Sequence, residues 1–232
     1  MSSIIENLNI ILEKIENAKS RAGIKTNVKL VAVSKTKPSS MIREAFECGH
    51  TIFGENKVQE GIIKREELKD IAVELHLIGH LQTNKAKKAV ETFDYIHSVD
   101  SLKLAKKLSF QCEQLKKEMP ILIQVNTSGE KSKSGIQDEI SQIRNEVGEI
   151  LELPYLKVQG FMTIGPLTSD LNAIRNSFIE LRTIRDKMKD SFKNYNFNEL
   201  SMGMSSDFEI AVEEGATFIR VGSLIFGARN YH

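Results

Sequence analysis

The segment KLVAVSKTKPSS, residues 29–40, runs from apolar strand composition straight into lysines. Successive side chains on a strand point to opposite faces, so Lys35 lies on the same side as Val31 and Val33. If that side is interior, an amine is aimed inward at the strand's end. One reading is a stem that covers apolar surface while the ammonium reaches water. The other is a desolvated amine of lowered basicity that condenses with a carbonyl to a Schiff base. Lys37 directly precedes Pro38, where the chain leaves the strand. It is expected near the rim, in solvent.

A second group is SMGMSSDFEIA (201–211) with RVGSLIFGAR (220–229). Ser206 and Glu209 have the spacing of a capping box that opens a helix. Gly222 and Ser223 supply a backbone N–H and a hydroxyl, and a following helix start adds unpaired donors for an anion. A phosphate-bearing ligand is the expectation. Arg220 either binds that phosphate or sits deeper, against another part of the ligand. His76 and His80 lack the helical HExxH context, so no zinc site is expected. Lys85, Lys87 and Lys88 read as a solvated helix face. The glycine-bounded segment NTSGEKSKSG (126–135) either closes over a site or is a long connection.

The elements that must position these residues alternate along the chain. Short apolar strands are predicted at 30–34, 51–54, 75–79, 95–99, 121–126, 156–163, 199–203 and 218–222, with helical patterns between them. Several of those helices begin on a capping Ser, Thr, Asn or Asp. The pattern indicates an α/β fold, a (β/α)8 TIM barrel spanning residues 1–232 as one domain, and the doubly wound open sheet is the alternative. Ile4, Leu8, Ile11 and Ile15 fall on one face of an extra N-terminal helix. The active site of such a barrel lies at the C-terminal ends of its strands. The polar oddities gather there: Lys35, Glu55 and Asn56, GHLQTN after strand three, Asn126, Met162 and Thr163, Ser201 to Ser206, and Arg220 to Ser223.

Composition narrows the classes. A net charge of +1 supplies no field for nucleic acid or an anionic membrane. The N-terminus lacks a basic n-region and is interrupted by Glu6, so it is not a signal peptide. No apolar run approaches bilayer length. Cys48 and Cys112 fit no CxxC or zinc spacing and read as reduced packing residues of a cytoplasmic protein.

Together VAVSKTKP, FGENKVQE, HLIGHLQTNK, VNTSGEKSKSG, GFMTIG, LSMGMSSD and IRVGSLIFGAR resemble the signature blocks of the pyridoxal phosphate homeostasis proteins, relatives of the N-terminal barrel of alanine racemase. The resemblance runs essentially the whole chain. It implies that Lys35 holds pyridoxal 5′-phosphate (PLP) as a Schiff base and that Asn56 lies beside the cofactor. It further implies that Arg220 faces the pyridine nitrogen, that Ser205, Gly222 and Ser223 hold the phosphate, and that Met202 lies near the ring. Lys57, Leu75, Ser206 and Ser223 replace the Tyr, Trp, Asp and Thr common in the family, which bears on the pocket rim.

The function expected is intracellular PLP homeostasis or carriage without strong turnover. PLP is the ligand, PLP-dependent apo-enzymes are transient partners, and the chain is monomeric because the racemases' dimerising C-terminal domain does not follow. That domain also supplies the racemases' second acid/base. A PLP-dependent amino-acid racemase and a Schiff-base aldolase acting on a phosphosugar are the alternatives.

Overall fold

The computed structural model describes residues 3–130, 134–137 and 139–227. The chain opens with α1 (Ile4–Ala22) and continues β1 (Lys29–Val33), α2 (Ser39–Glu47), β2 (Ile52–Glu55), α3 (Val58–Glu67) and β3 (Glu74–Leu77). A single 3-10 turn leads into α4 (Ala86–Thr92), followed by β4 (Tyr95–Val99), α5 (Leu102–Leu115), β5 (Met119–Asn126) and β6 (Ile136–Gln137). Then come α6 (Ile140–Leu151), β7 (Leu156–Met162), α7 (Leu171–Ser191), β8 (Glu199–Ser201), α8 (Phe208–Glu213), β9 (Phe218–Val221) and α9 (Ser223–Phe226).

All strand pairings are parallel, in the order β4-β3-β2-β1-β9-β8-β7-β5-β6, and β4 also pairs with β5. That last pairing closes the sheet into an eight-stranded barrel and excludes the doubly wound alternative. The eight expected strands are its staves. The two residues of β6 pair only with the end of β5, Val125 opposite Ile136. They were not legible as a strand because two residues carry no period.

Strand alternation sorts the side chains into two cores. Leu30 and Ala32 join the large apolar layer between barrel and helices, while Val31 and Val33 line the interior with Ile78, Tyr95, Leu122, Met162 and Phe218. Helix α1 starts on a capping box formed by Ser3 and Glu6 and buries Ile4, Leu8, Ile11 and Ile15. Each such side chain contributes roughly 1.5–3 kcal/mol of burial. Helix α1 packs against α8 and α9, and the Asn7 amide donates to the Ile225 carbonyl at 2.9 Å. It thereby braces the turn of chain that carries Gly222 and Ser223. No helix among the described residues is long and apolar enough to cross a membrane.

Candidate functional site

At the C-terminal ends of the strands a cavity of about 420 Å³ opens, within the range of small-molecule sites. Lys35, Lys37, Asn56, Ser205, Ser206, Arg220, Gly222 and Ser223 line it, with Val33, Ile78, Ile164 and Met204 as its apolar walls.

Lys35 reaches this cavity because β1 ends in a tight turn. The Lys37 N–H donates to the Ser34 carbonyl at 3.0 Å, and Thr36 takes a left-handed φ of 62°. A β-branched residue rarely adopts that conformation. It is held there by Glu60 of α3, whose carboxylate accepts from the Thr36 N–H at 2.9 Å. Behind the turn, Ser34 faces outward and donates to Glu55 Oε1 at 2.6 Å. Lys64, also on α3, donates to the Ser34 carbonyl at 2.6 Å and to Glu55. Ser34, Glu55 and Lys64 are all buried. Burial pushes the Glu55 carboxyl up, against the pull of Lys64. Glu55 and Asn56 therefore part company: Asn56 lines the cavity, and Glu55 secures the strand end from the helix side. Lys37, expected in solvent, is half-buried and lines the cavity as well.

The opposite wall comes from β8, β9 and the segments that follow them. The Gly222 N–H donates to Ser205 Oγ at 3.4 Å, and Ser223 Oγ donates to Ser205 Oγ at 3.2 Å. Two hydroxyls and a backbone N–H thus converge. A Cβ at Gly222 would lie 2.9 Å from the Val33 carbonyl oxygen, so only glycine lets this backbone come so close to β1. Helix α8 begins one residue later than expected, after Asp207, which makes no side-chain cap. The capping box of Ser206 and Glu209 does not form, which leaves Ser206 on the cavity wall. Helix α9 is a single turn, so the cradle consists of explicit donors rather than a long helix dipole.

Arg220 is buried in the barrel, where its guanidinium donates to Ser201 Oγ at 2.6 Å and to the Thr163 carbonyl at 2.8 Å. Burial lowers its pKa to about 10, so it stays charged at neutral pH. Met202 is placed elsewhere: alternation along β8 turns Ser201 inward and Met202 outward, into the layer beneath the helices. Met204 lines the cavity instead.

The remaining residues singled out by the sequence lie off the cavity. The Asn126 amide donates to the Glu130 carbonyl, and its carbonyl oxygen accepts from Ser128. Thr163 shares a buried hydroxyl chain with Thr127 and Ser177 under α7. Lys57 is exposed, and Leu75 is fully buried on the outside of the barrel rather than at the rim. His80 pairs with Asp100 at 3.0 Å. Part of the segment 126–135 lies outside the described residues. Its near end is folded on itself, and Gln124 grips its far end through the Ser134 carbonyl at 2.9 Å. No group of three or more His, Cys, Asp or Glu among the described residues is placed to hold a metal.

The sequence reading missed Glu60, Lys64 and Asp207. Glu60 and Lys64 are four apart on a helix, which reads equally well as a surface ion pair. The lining has three cations, a hydroxyl cradle and, among the described residues, no carboxylate. It fits a small organic anion that also carries an amine-reactive carbonyl, and PLP is such a molecule.

Residues 6–230 match the family "Alanine racemase, N-terminal domain". The chain is 43% identical to the pyridoxal phosphate homeostasis protein of Aquifex aeolicus, covering 97% of this chain and 98% of that one. It is 37% identical to the protein of that name from Escherichia coli K12, over all of this chain and 99% of its relative. Among solved structures, PipY of Synechococcus elongatus PCC7942 superposes with a TM-score of 0.88 without PLP and 0.83 with PLP bound. Both PipY chains are 38% identical to this one, and the match spans 97% of this chain and all of theirs. An alanine racemase of Clostridium difficile shares the fold at 15% identity and a TM-score of 0.75, and only 57% of its length is matched. On these grounds the chain belongs to the alanine racemase N-terminal-domain family and, within it, to the pyridoxal phosphate homeostasis proteins.

Proposed function

We propose that the cavity holds PLP, with its phosphate in the cradle of Ser205, Gly222 and Ser223 and its aldehyde joined to Lys35. The amine condenses with the aldehyde, losing water, to a Schiff base that stores the cofactor covalently and reversibly. Asn56 lies beside it, and Arg220 faces the ring nitrogen. The observation that carries this reading is the lining itself: cations and hydroxyl donors and, among the described residues, no acid. PipY, solved with PLP bound, supports the same ligand here.

The role that follows is homeostasis and carriage of PLP to apo-enzymes rather than turnover. Bound PLP supplies an electron sink that is strongest when its ring nitrogen is protonated. A guanidinium is always a donor and disfavours that proton. Reversing a stereocentre also needs an acid and a base on opposite faces. Among the described lining residues the titratable groups are Lys35, Lys37 and Arg220, with no tyrosine, histidine or carboxylate. A cytoplasmic setting agrees with two unpaired cysteines, one exposed.

The second amine in the cavity, Lys37, gives the racemase-like reading its one foothold. Borohydride reduction of PLP-loaded protein followed by peptide mapping is expected to place the pyridoxyl group on Lys35. A label on Lys37 would overturn the assignment. Single-enantiomer amino acids in deuterated water are expected to keep their α-proton and their optical purity. Robust exchange that disappears in Lys35→Ala would replace the carrier with an enzyme.

A further inference from the structure

Below the cavity the barrel interior is not a purely apolar plug. His76 on β3 and His97 on β4 are fully buried there, against the Phe218 ring at centroid distances of 5.7 and 5.0 Å. Tyr95 packs on both imidazoles, at 5.0 and 4.8 Å. Two buried imidazoles in a barrel core need hydrogen-bond partners, and here they find them in series. Arg220 meets Ser201 Oγ at 2.6 Å, Ser201 Oγ meets His97 Nδ1 at 2.9 Å, and His97 Nε2 meets His76 Nδ1 at 2.9 Å. His76 Nε2 then meets Glu74 Oε1 at 2.8 Å. The series runs from the cavity floor to Glu74, the first residue of β3, at the opposite end of the barrel.

With both imidazoles neutral, the chemistry of the two ends fixes the direction of every bond between them. Arginine only donates and an ionised carboxylate only accepts. Ser201 therefore accepts from Arg220 and spends its single proton on His97 Nδ1. His97 must then carry its proton on Nε2 and give it to His76 Nδ1, and His76 must carry its own on Nε2, pointed at Glu74. In this arrangement both rings are Nε2–H tautomers, and each ring nitrogen and the Ser201 proton has one partner in the line. Burial holds His97 well below its ordinary basicity, and the bond from His76 holds Glu74 below the usual carboxylate range. Lys29, paired with Glu199 at 2.8 Å, lies over the Phe218 ring beside the lower end, and Asp207 is the acid facing Arg220.

We propose that Ser201, His97 and His76 are positioning residues that lock the Arg220 guanidinium against the cofactor ring through a one-way hydrogen-bond chain anchored on Glu74. This rests on the reading in which Arg220 faces the ring nitrogen of PLP. The line does not conduct a proton to the ring. Shifting each proton one place toward Glu74 would leave a neutral arginine and a neutral carboxyl, far uphill given their basicities. Its effect is geometric and polarising: a hydroxyl that donates strongly to His97 is a better acceptor for Arg220. The guanidinium, which no carboxylate in the described structure bonds directly, is thereby fixed in one orientation.

The test has two arms. Long-range proton–nitrogen correlation spectra of the labelled protein without cofactor are expected to show His97 and His76 as neutral Nε2–H tautomers at neutral pH. An Nδ1–H tautomer or an imidazolium at either histidine would overturn the chain, whatever the cofactor does. In the second arm Ser201→Ala is expected to weaken PLP binding about tenfold, the scale of one lost hydrogen bond to a charged group. The absorbance spectrum of bound PLP should shift, and Ser201→Thr, which keeps the hydroxyl, should restore both. Wild-type uptake of PLP with a Ser201→Ala variant of unchanged affinity and spectrum would overturn the positioning role alone. A wild-type protein that takes up no PLP would overturn the function reading and the cofactor half of this inference with it.

Discussion

Gly222 sits where a methyl group has nowhere to go, since a Cβ would meet Val33 at 2.9 Å from its carbonyl oxygen and 3.2 Å from its Cβ. Gly222→Ala must push the cradle off β1 or distort the strand that aims Lys35. Overpacking of this kind costs about 1–3 kcal/mol, so PLP affinity is expected to fall roughly tenfold to a hundredfold. An absorbance titration checks it, and unchanged affinity would show that the cradle does not hold the phosphate. Lys35→Ala should lose the covalent link but keep weak, phosphate-competed binding, because the cradle is intact. At this scale the strand period was enough to bring Lys35 to the cavity wall. Applied to Leu-Ser-Met at 200–202 it also turns Met202 outward, whereas the family resemblance had put that residue near the ring. Lys37 escaped the period because the turn at Thr36 redirects the chain after the strand ends.

At the scale of elements, α3 and the end of β1 behave as one unit. Removing Lys64 would leave the Glu55 carboxylate buried without its cation. Lys64→Met is expected to destabilise the fold by about 3–5 kcal/mol, and Glu55→Gln combined with Lys64→Met to recover much of that loss. Urea unfolding measures both. The pH dependence has a definite sign. Burial holds the folded Glu55 carboxyl above its ordinary 4.5, and losing Lys64 raises it further. Stability of Lys64→Met is therefore lost as pH rises from 4.5 toward the folded value, and its deficit should be larger at neutral pH than in mild acid. The strands were readable from the sequence because each is a short apolar run ending in a helix-start signal. The clamp was not, because nothing in the sequence tells Lys64 on a polar-looking helix that it faces a buried carboxylate.

For the molecule as a whole, acid sensitivity should begin with histidine rather than carboxylates. His97 and His50 are both held below their ordinary 6.5 by burial. Below pH 6.5 the unfolded chain takes up protons that the folded one refuses, so stability falls as pH falls. Each such histidine adds up to about 1.4 kcal/mol per pH unit. His97→Gln should remove one proton from that slope in urea unfolding between neutral pH and 5; an unaltered slope would show that His97 is not held neutral. Below about pH 4.5 the carboxylates paired with arginine take over. Glu213, held low first by Arg175, contributes stability that is lost as pH drops through its folded value. The barrel was legible in the alternation of its strands with helices, and the rim in where the polar residues fell. The histidine line was not, since His76 and His97 become partners only when β3 pairs with β4 and the sheet closes.

The turn that aims Lys35 leaves the protein with unclaimed stability. A threonine held in the left-handed region strains the backbone by about 1–2 kcal/mol, and asparagine tolerates that conformation. Thr36→Asn is expected to raise the melting temperature by several degrees while keeping the bond to Glu60. A protein that carries such slack beside its reactive amine has room for the neighbouring substitutions that would retune the site.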